Sequence, residues 1–410
     1  MPELNAGDTA WVLSSAALVM LMTPGLALFY GGLVRRKNVL STIMHSFFIL
    51  ALVSVTWVLW GYTLAFGPDT GLGIIGGFDW LALEGVTGAP SDTYATTIPH
   101  LAFMTFQGMF AIITPALITG AFAERKRFKA FVIFAVAWST LVYAPIAHWV
   151  WSPDGWLFDL GVLDFAGGTV VHLSSGIAAL VAALFIGRRT GVIGAPPEPH
   201  DVPMTVRGAG LLWFGWFGFN AGSALGANGL AANAFVTTNT AAGMAAITWV
   251  TVSWLHKGTP SVIGAALGAV AGLVAITPAA GFVTPAASIL IGLGVGVVCY
   301  GAAQIRLRTR VDDALDVFAV HGVGGAFGAL ATGVFATTAV NAAGFNGLLN
   351  GNPGQLLTQA IGVAVVGLYS AVATGLILFL INLVVPIRVP DTEEEAGLDL
   401  AQHGEIAYQV

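Results

Sequence analysis

Polar residues interrupt this chain at intervals that leave apolar stretches of roughly membrane-spanning length. A helix that crosses a bilayer needs about 20 mostly apolar residues. Read with that window, apolar stretches fall near 9–31, 41–65, 99–122, 129–150, 168–187, 206–225, 232–255, 260–278, 284–304, 315–336 and 356–386. The pattern predicts an all-α membrane protein of eleven transmembrane helices over residues 1–386, followed by a soluble tail over 387–410.

Composition points the same way. Of 410 residues, 9% are charged and 56% hydrophobic, whereas a soluble domain carries roughly 25% charged residues. Such a chain cannot cover a water-facing surface. The 53 glycines suit helices that approach closely in lipid. The single cysteine, Cys299, lies in an apolar stretch and reads as a buried, inert thiol. No basic cluster of the nucleic-acid-binding kind is present. The first residues, MPELNAGDTA, lack the basic flank of a cleaved signal peptide, and none is expected.

Charge then tests the count. The 15 basic residues are Arg35, Arg36, Lys37, Arg125, Lys126, Arg127, Lys129, Arg188, Arg189, Arg207, Lys257, Arg306, Arg308, Arg310 and Arg388. With eleven spans all of them fall at or near one side. The intervening segments at 66–98, 151–167, 226–231, 279–283 and 337–355 contain none. Lys and Arg are retained on the cytoplasmic side, so the N-terminus is expected outside and the C-terminus inside.

An odd count is explained by two inverted five-helix halves plus one additional helix, since many transporters are built from inverted repeats with a site where the halves meet. Span five carries DFAGGTVVH, from Asp164 to His172, and span ten carries DVFAVH, from Asp316 to His321. Each places a histidine several residues after an aspartate, at spacings of eight and five. A lone buried histidine is ordinarily satisfied by a neighbouring carbonyl or hydroxyl. Two in corresponding positions of two halves point to a pathway, because ionisable groups at membrane depth are costly and by default functional. Paired imidazoles can share a proton and offer donor and acceptor sites to a small polar solute. Two histidines without a third ligand make a poor metal site. No nucleophile with an oriented base accompanies them, so neither a cofactor nor an enzymatic activity is expected.

Aromatic residues cluster in three further stretches: FQGMF at 106–110, WVW at 149–151 and GWFGFNAGS at 215–223. Phe106 and Phe110 share a helix face, as do Trp216, Phe219 and Ser223. Trp149, and Trp156 or Trp80, read as interfacial anchors. The remaining rings read equally as such anchors or as a cup for a cation, which an aromatic face holds with about 2 kcal/mol when desolvated.

Together DFAGGTVVH, GWFGFNAGS, FQGMF and DVFAVHGVGG (316–325) resemble the Amt/Mep/Rh ammonium transporters of the bacterial and archaeal Amt type. The resemblance runs from FYGGLVRRKN at 29–38 to HGEIAY at 403–408. It implies that Trp151, Phe110 and Ser223 recruit ammonium at the outer face, with Phe106 beside them. It implies a gate of Phe110 and Phe219, and a pore lined by His172 and His321 with Trp216 nearby. It makes Asp164 a structural support of the recruitment site. It further implies a homotrimer in the cell (inner) membrane, and a PII signalling protein as partner at the cytoplasmic face. The tail, with Asp391, Glu393, Glu394 and Glu395, reads by composition as a solvated segment; the resemblance implies that it packs under a neighbouring subunit. A sensor with little flux is the competing reading.

Overall fold

The computed structural model describes residues 3–191, 198–309 and 311–408; Arg310, one of the basic residues counted above, lies outside them. Helical segments run through each apolar stretch. They are α1 (Ala6–Leu33), α2 (Arg36–Phe66), α3 (His100–Phe122), α4 (Phe128–Asp159), α5 (Gly168–Ile186), α6 (Val202–Trp216), α7 (Gly229–Lys257), α8 (Val262–Ile276), α9 (Pro285–Leu307), α10 (Phe318–Phe335) and α11 (Gly354–Val384). Eight of these are long and apolar enough to cross a membrane by length and composition. The other three are α6, α7 and α8. α8 is short, and α7 is diluted by Thr237, Thr238, Asn239 and Thr240.

Small residues bring the helices together. A β-carbon at Gly272 of α8, or at Gly292 of α9, would lie 2.5 Å from the Ala241 carbonyl oxygen of α7. At Gly208 of α6 it would lie 2.3 Å from the Phe29 amide nitrogen of α1. Without a water-driven force between helices in lipid, this close backbone contact is what holds them.

Several helices are not regular. π-helical turns occur at Trp57–Gly61 in α2, Ser139–Tyr143 in α4, Gly168–Leu173 at the start of α5, Phe217–Ala221 directly after α6 and Phe318–Gly322 at the start of α10. A π turn widens the helix locally and re-aims a side chain, so it recurs at functional sites. Three of these turns carry His172, Phe219 and His321.

At the end of the molecule opposite the basic residues, the long connection between α2 and α3 carries a small antiparallel ribbon, β1 (Pro90–Ser91) with β2 (Ala95–Pro99). Trp149, expected as an anchor at a membrane surface, is instead buried. Its indole donates to the Ile74 carbonyl and its ring lies 4.7 Å from Tyr369.

The basic end departs furthest from expectation. The tail is not a solvated segment. It forms a short helix, α12 (Asp391–Ala396), and a π turn at Asp399–His403, both laid against the chain's own loops. Asp399 accepts from the amides of Leu40 and Ser41 at the start of α2, and the Leu398 amide donates to Asn38. Gln402 accepts from the Phe128 amide at the start of α4, and Glu394 pairs with Arg388 at 2.8 Å. Each contact satisfies a helix-terminal donor or a charge that the composition alone suggests is hydrated. Arg125, Lys126 and Arg189 are likewise buried rather than solvated. Arg189 holds Asp312 (2.8 Å) and Glu124 (3.0 Å), and Arg35 holds Glu124 from the other side (2.9 Å). Burial raises the Asp312 carboxyl, but hydrogen bonding and charge from Arg189 outweigh it and hold it at about 2.

Candidate functional site

The outer part of the site begins as a cavity of about 240 Å³ whose wall includes Gln107, Phe110, Trp151, Phe165 and Ser223. Trp151 ends the regular part of α4, and its indole donates to the Asp164 carbonyl at 3.0 Å. That bond fixes the ring, which meets Phe110 edge-on at 5.8 Å. Ser223 donates its hydroxyl proton to the Phe219 carbonyl at 2.8 Å. Its oxygen lone pairs remain available to a donor in the cavity.

Phe106 is placed differently from the recruitment role. It is fully buried and absent from the cavity wall, and it supports Phe110 from 4.9 Å. Gly222 makes room for it: a β-carbon there would come within 2.9 Å of the ring. Gln107, the polar neighbour of Phe106 in FQGMF, does line the cavity. The periodicity that pairs Phe106 with Phe110 on one face says nothing about which ring is in front.

Below the cavity Phe110 and Phe219 lie 4.3 Å apart, tilted by 40°. They close the outer cavity from a second space. That space is a void of about 10 Å³ whose lining includes His172, His321, Trp216, Leu26 and Val270. It holds about one water-sized molecule. His172 stacks between aromatic neighbours, 5.9 Å from Phe219 and 5.3 Å from Trp216. The Trp216 indole donates to Thr277 at 2.9 Å, which fixes that side of the void.

The two histidines meet directly. Their Nδ1 atoms are 3.2 Å apart. Such a contact needs one ring to donate from Nδ1 and the other to accept there, so the pair carries complementary tautomers and turns its Nε2 atoms away from the contact. The His172 Nε2 has no partner among the described residues. Both rings are buried, and the backbones that carry them touch through glycine. A β-carbon at Gly176 of α5 would fall 2.0 Å from the Gly322 amide of α10, and one at Gly325 of α10 would fall 2.7 Å from the Gly168 carbonyl.

Asp164 explains the DFAGG sequence. Its carboxylate accepts from the amides of Gly167, Gly168, Thr169 and Val170, and from the Thr169 hydroxyl. It therefore caps the π turn that presents His172. Burial pushes the carboxyl up and these donors pull it back. Gly167 adopts a φ of 114°, open to glycine, and Gly168 abuts Pro278, 2.4 Å from where a β-carbon would sit.

The second half repeats this device with a different aspartate from the one the sequence suggests. Asp313, not Asp316, caps the turn that presents His321. It accepts from the Phe318 amide at 2.7 Å, five residues on, as Asp164 accepts from Thr169. Asp313 stands eight residues before His321, the same interval as Asp164 to His172. Asp316 instead pairs with Arg306 at 2.5 Å, on the wall of an inner cavity of about 530 Å³ that also touches Trp249, Lys257 and Tyr300. Burial, reinforced by the charge of Asp316, pushes the Asp313 carboxyl up to about 6.

Fold and site together describe a multi-pass membrane protein in which an outer cavity, a phenyl pair and two facing histidines adjoin. The chain belongs to the Ammonium Transporter Family, whose model matches residues 10–408. It is 53% identical over 407 residues to a Bacillus subtilis protein named "Ammonium transporter", covering 99% of both chains. It is 48% identical to the Archaeoglobus fulgidus "Ammonium transporter Amt1", covering 99% of this chain and 100% of that one. The crystal structure of Saccharomyces cerevisiae Mep2 superposes with a TM-score of 0.91 at 38% identity, covering 99% and 92% of the two chains. A structure described as "Sensor Amt Protein" superposes with a TM-score of 0.89 at 31% identity, covering 97% and 98%.

Proposed function

We propose that this protein transports ammonium by recruiting the cation in the outer cavity, removing its proton there, and passing ammonia along His172 and His321. One observation carries the reading: cavity, Phe110–Phe219 pair, small void and histidine pair follow one another without a break. In the outer cavity Trp151 and Phe110 offer π faces to a cation, and Ser223 accepts an N–H. The space beyond the phenyl pair fits one small molecule and no hydration shell. Carrying a charge through it is costly. Neutral ammonia, by contrast, can donate to and accept from the imidazole edges. The proton either follows through the rings or returns to the outer side.

The same reading takes eleven crossings, the N-terminus outside and the C-terminus inside. It takes a membrane domain over 1–386 and a tail over 387–410, in a homotrimer of the cell (inner) membrane. A PII protein docking on the basic face is its expected partner. Ammonium-dependent current across bilayers holding the reconstituted protein, wild type beside the His172→Ala/His321→Ala double variant, tests the mechanism. Current that tracks ammonium assigns the proton to the ring pair; uptake without charge movement assigns its return to the outer side. Selective conduction is expected to vanish in the folded double variant. Unchanged conduction there would remove the pair from the mechanism. The sensor reading is favoured by the likeness to the "Sensor Amt Protein"; negligible flux in the wild type would sustain it.

A further inference from the structure

The tail packs one of its residues into a cluster that conduction leaves unused. His45 of α2, Lys126 in the turn between α3 and α4, and His403 in the tail each place a nitrogen in one aromatic box. Among the described residues, His45 Nε2, Lys126 Nζ and His403 Nε2 are buried without a hydrogen-bond partner. Lys126 Nζ lies between two rings, 3.6 Å from the Phe122 centroid and 3.9 Å from that of Phe134. His45 meets Phe131 edge-on at 4.3 Å and lies over Phe128 at 6.0 Å. His403 meets the same Phe128 ring edge-on at 5.2 Å. Buried polar atoms are almost always paired, so three orphaned nitrogens in one place call for a reason.

Charge decides what the cluster can do. His403 faces His45 from α2, and Asp399 and Glu405 from the tail itself; Lys126 from the turn faces His45 on its other side. Asp399 is engaged in capping α2. Glu405 is exposed. Phe128 contributes a ring edge contact and no acceptor. A neutral imidazole fits these surroundings, whereas an imidazolium would sit beside a second histidine with its Nε2–H unanswered. We propose that this box is a proton-sensitive latch: His403 holds the tail against α2 and α4 while neutral, and releases it when the basic end of the molecule is acidified. The direction follows from linkage. Burial lowers the His403 pKa, and this outweighs the opposing pull of Asp399 and Glu405. The released tail then binds the proton more tightly than the docked one. Docking is complete above the ordinary histidine range and weakens as pH falls through it. Release also removes the Asp399 and Gln402 caps from α2 and α4.

The test uses the full-length protein in lipid, with a spin label on Ala401→Cys. Ala401 is exposed in the tail, and the one native thiol, Cys299, is buried. Label mobility is compared between about pH 7.5 and about pH 5.5. The mobile fraction is expected to rise several-fold in the wild-type background. It should stay low at both pH values in His403→Phe, which keeps the ring contact and cannot take a proton. His403→Gln gives a second replacement that does not titrate. His200→Gln, which alters the histidine facing Tyr408, should keep the full response. An unresponsive wild type, a persisting response in either folded His403 variant, or loss of the response in His200→Gln would overturn the latch.

Discussion

Removing the Asp164 carboxylate is expected to unmake the turn that presents His172. Four backbone amides and one hydroxyl converge on its two oxygens, with amide distances from 2.6 to 3.2 Å, in a site 7% exposed. In Asp164→Ala none of these donors has an acceptor. An unsatisfied buried group costs roughly 1–3 kcal/mol, so the four amides together put the loss at about 4 kcal/mol or more, even with partial relaxation. Asp164→Asn keeps one acceptor oxygen for two donors and turns an amide nitrogen toward the others. Its expected loss is intermediate, on the order of 2 kcal/mol. The effect reaches the outer cavity because Trp151 donates to the backbone carbonyl of the same residue. Thermal unfolding of the purified protein should rank wild type above Asn above Ala, and ammonium uptake in vesicles should fall in the same order. Asp313 supplies the internal control. Among the described residues its carboxylate accepts from the Phe318 amide alone, and its Oδ1 has no partner. Asp313→Ala therefore exposes one amide donor in place of four and should cost roughly 1–3 kcal/mol, less than Asp164→Ala. Asp164→Ala melting with the wild type, or Asp313→Ala costing more than Asp164→Ala, would rule out the capping role.

Two further outcomes are expected. Trp151→Leu keeps an apolar wall but removes a π face worth about 2 kcal/mol to a desolvated cation, so half-saturating ammonium should rise about 30-fold with maximal flux little changed; an unaltered saturation curve would exclude Trp151 from recruitment. Asp312→Asn leaves Arg189 buried with only Glu124, and breaking such a pair costs roughly 3–5 kcal/mol. Because the Asp312 carboxyl sits at about 2, its contribution is whole above the ordinary carboxylate range near about 4 and is lost as pH falls toward about 2. Melting scans of wild type should steepen over that interval, and the variant should lack that part of the fall.

Much of the site was legible because its residues sit in two short motifs. Asp164 to His172 is nine consecutive residues, and a histidine at membrane depth draws attention whatever surrounds it. Legibility failed where neighbours in the sequence compete for one role. Asp313 and Asp316 both precede His321, and only the path of the chain shows which one points back at the turn: Asp316, with a φ of 58°, is swung out to Arg306. Phe106 and Phe110 share a helix face, yet depth within that face is set by what lies opposite. Gly222 admits Phe106 to the interior and leaves Phe110 on the cavity.

The sequence alone carries the solvent that each stretch demands. Too few charges, apolar stretches of membrane length and basic residues gathered into alternate loops all follow from local composition, since desolvating a charge is costly wherever the chain goes. Folding settles which charges escape that rule by finding one another. Glu124, Arg35, Arg189 and Asp312 come from four separate segments, and the tail's acids meet amides and an arginine that make burial affordable. The histidine pair is of the same kind. His172 and His321 are 149 residues apart and become a 3.2 Å contact because glycines let α5 and α10 touch backbone to backbone.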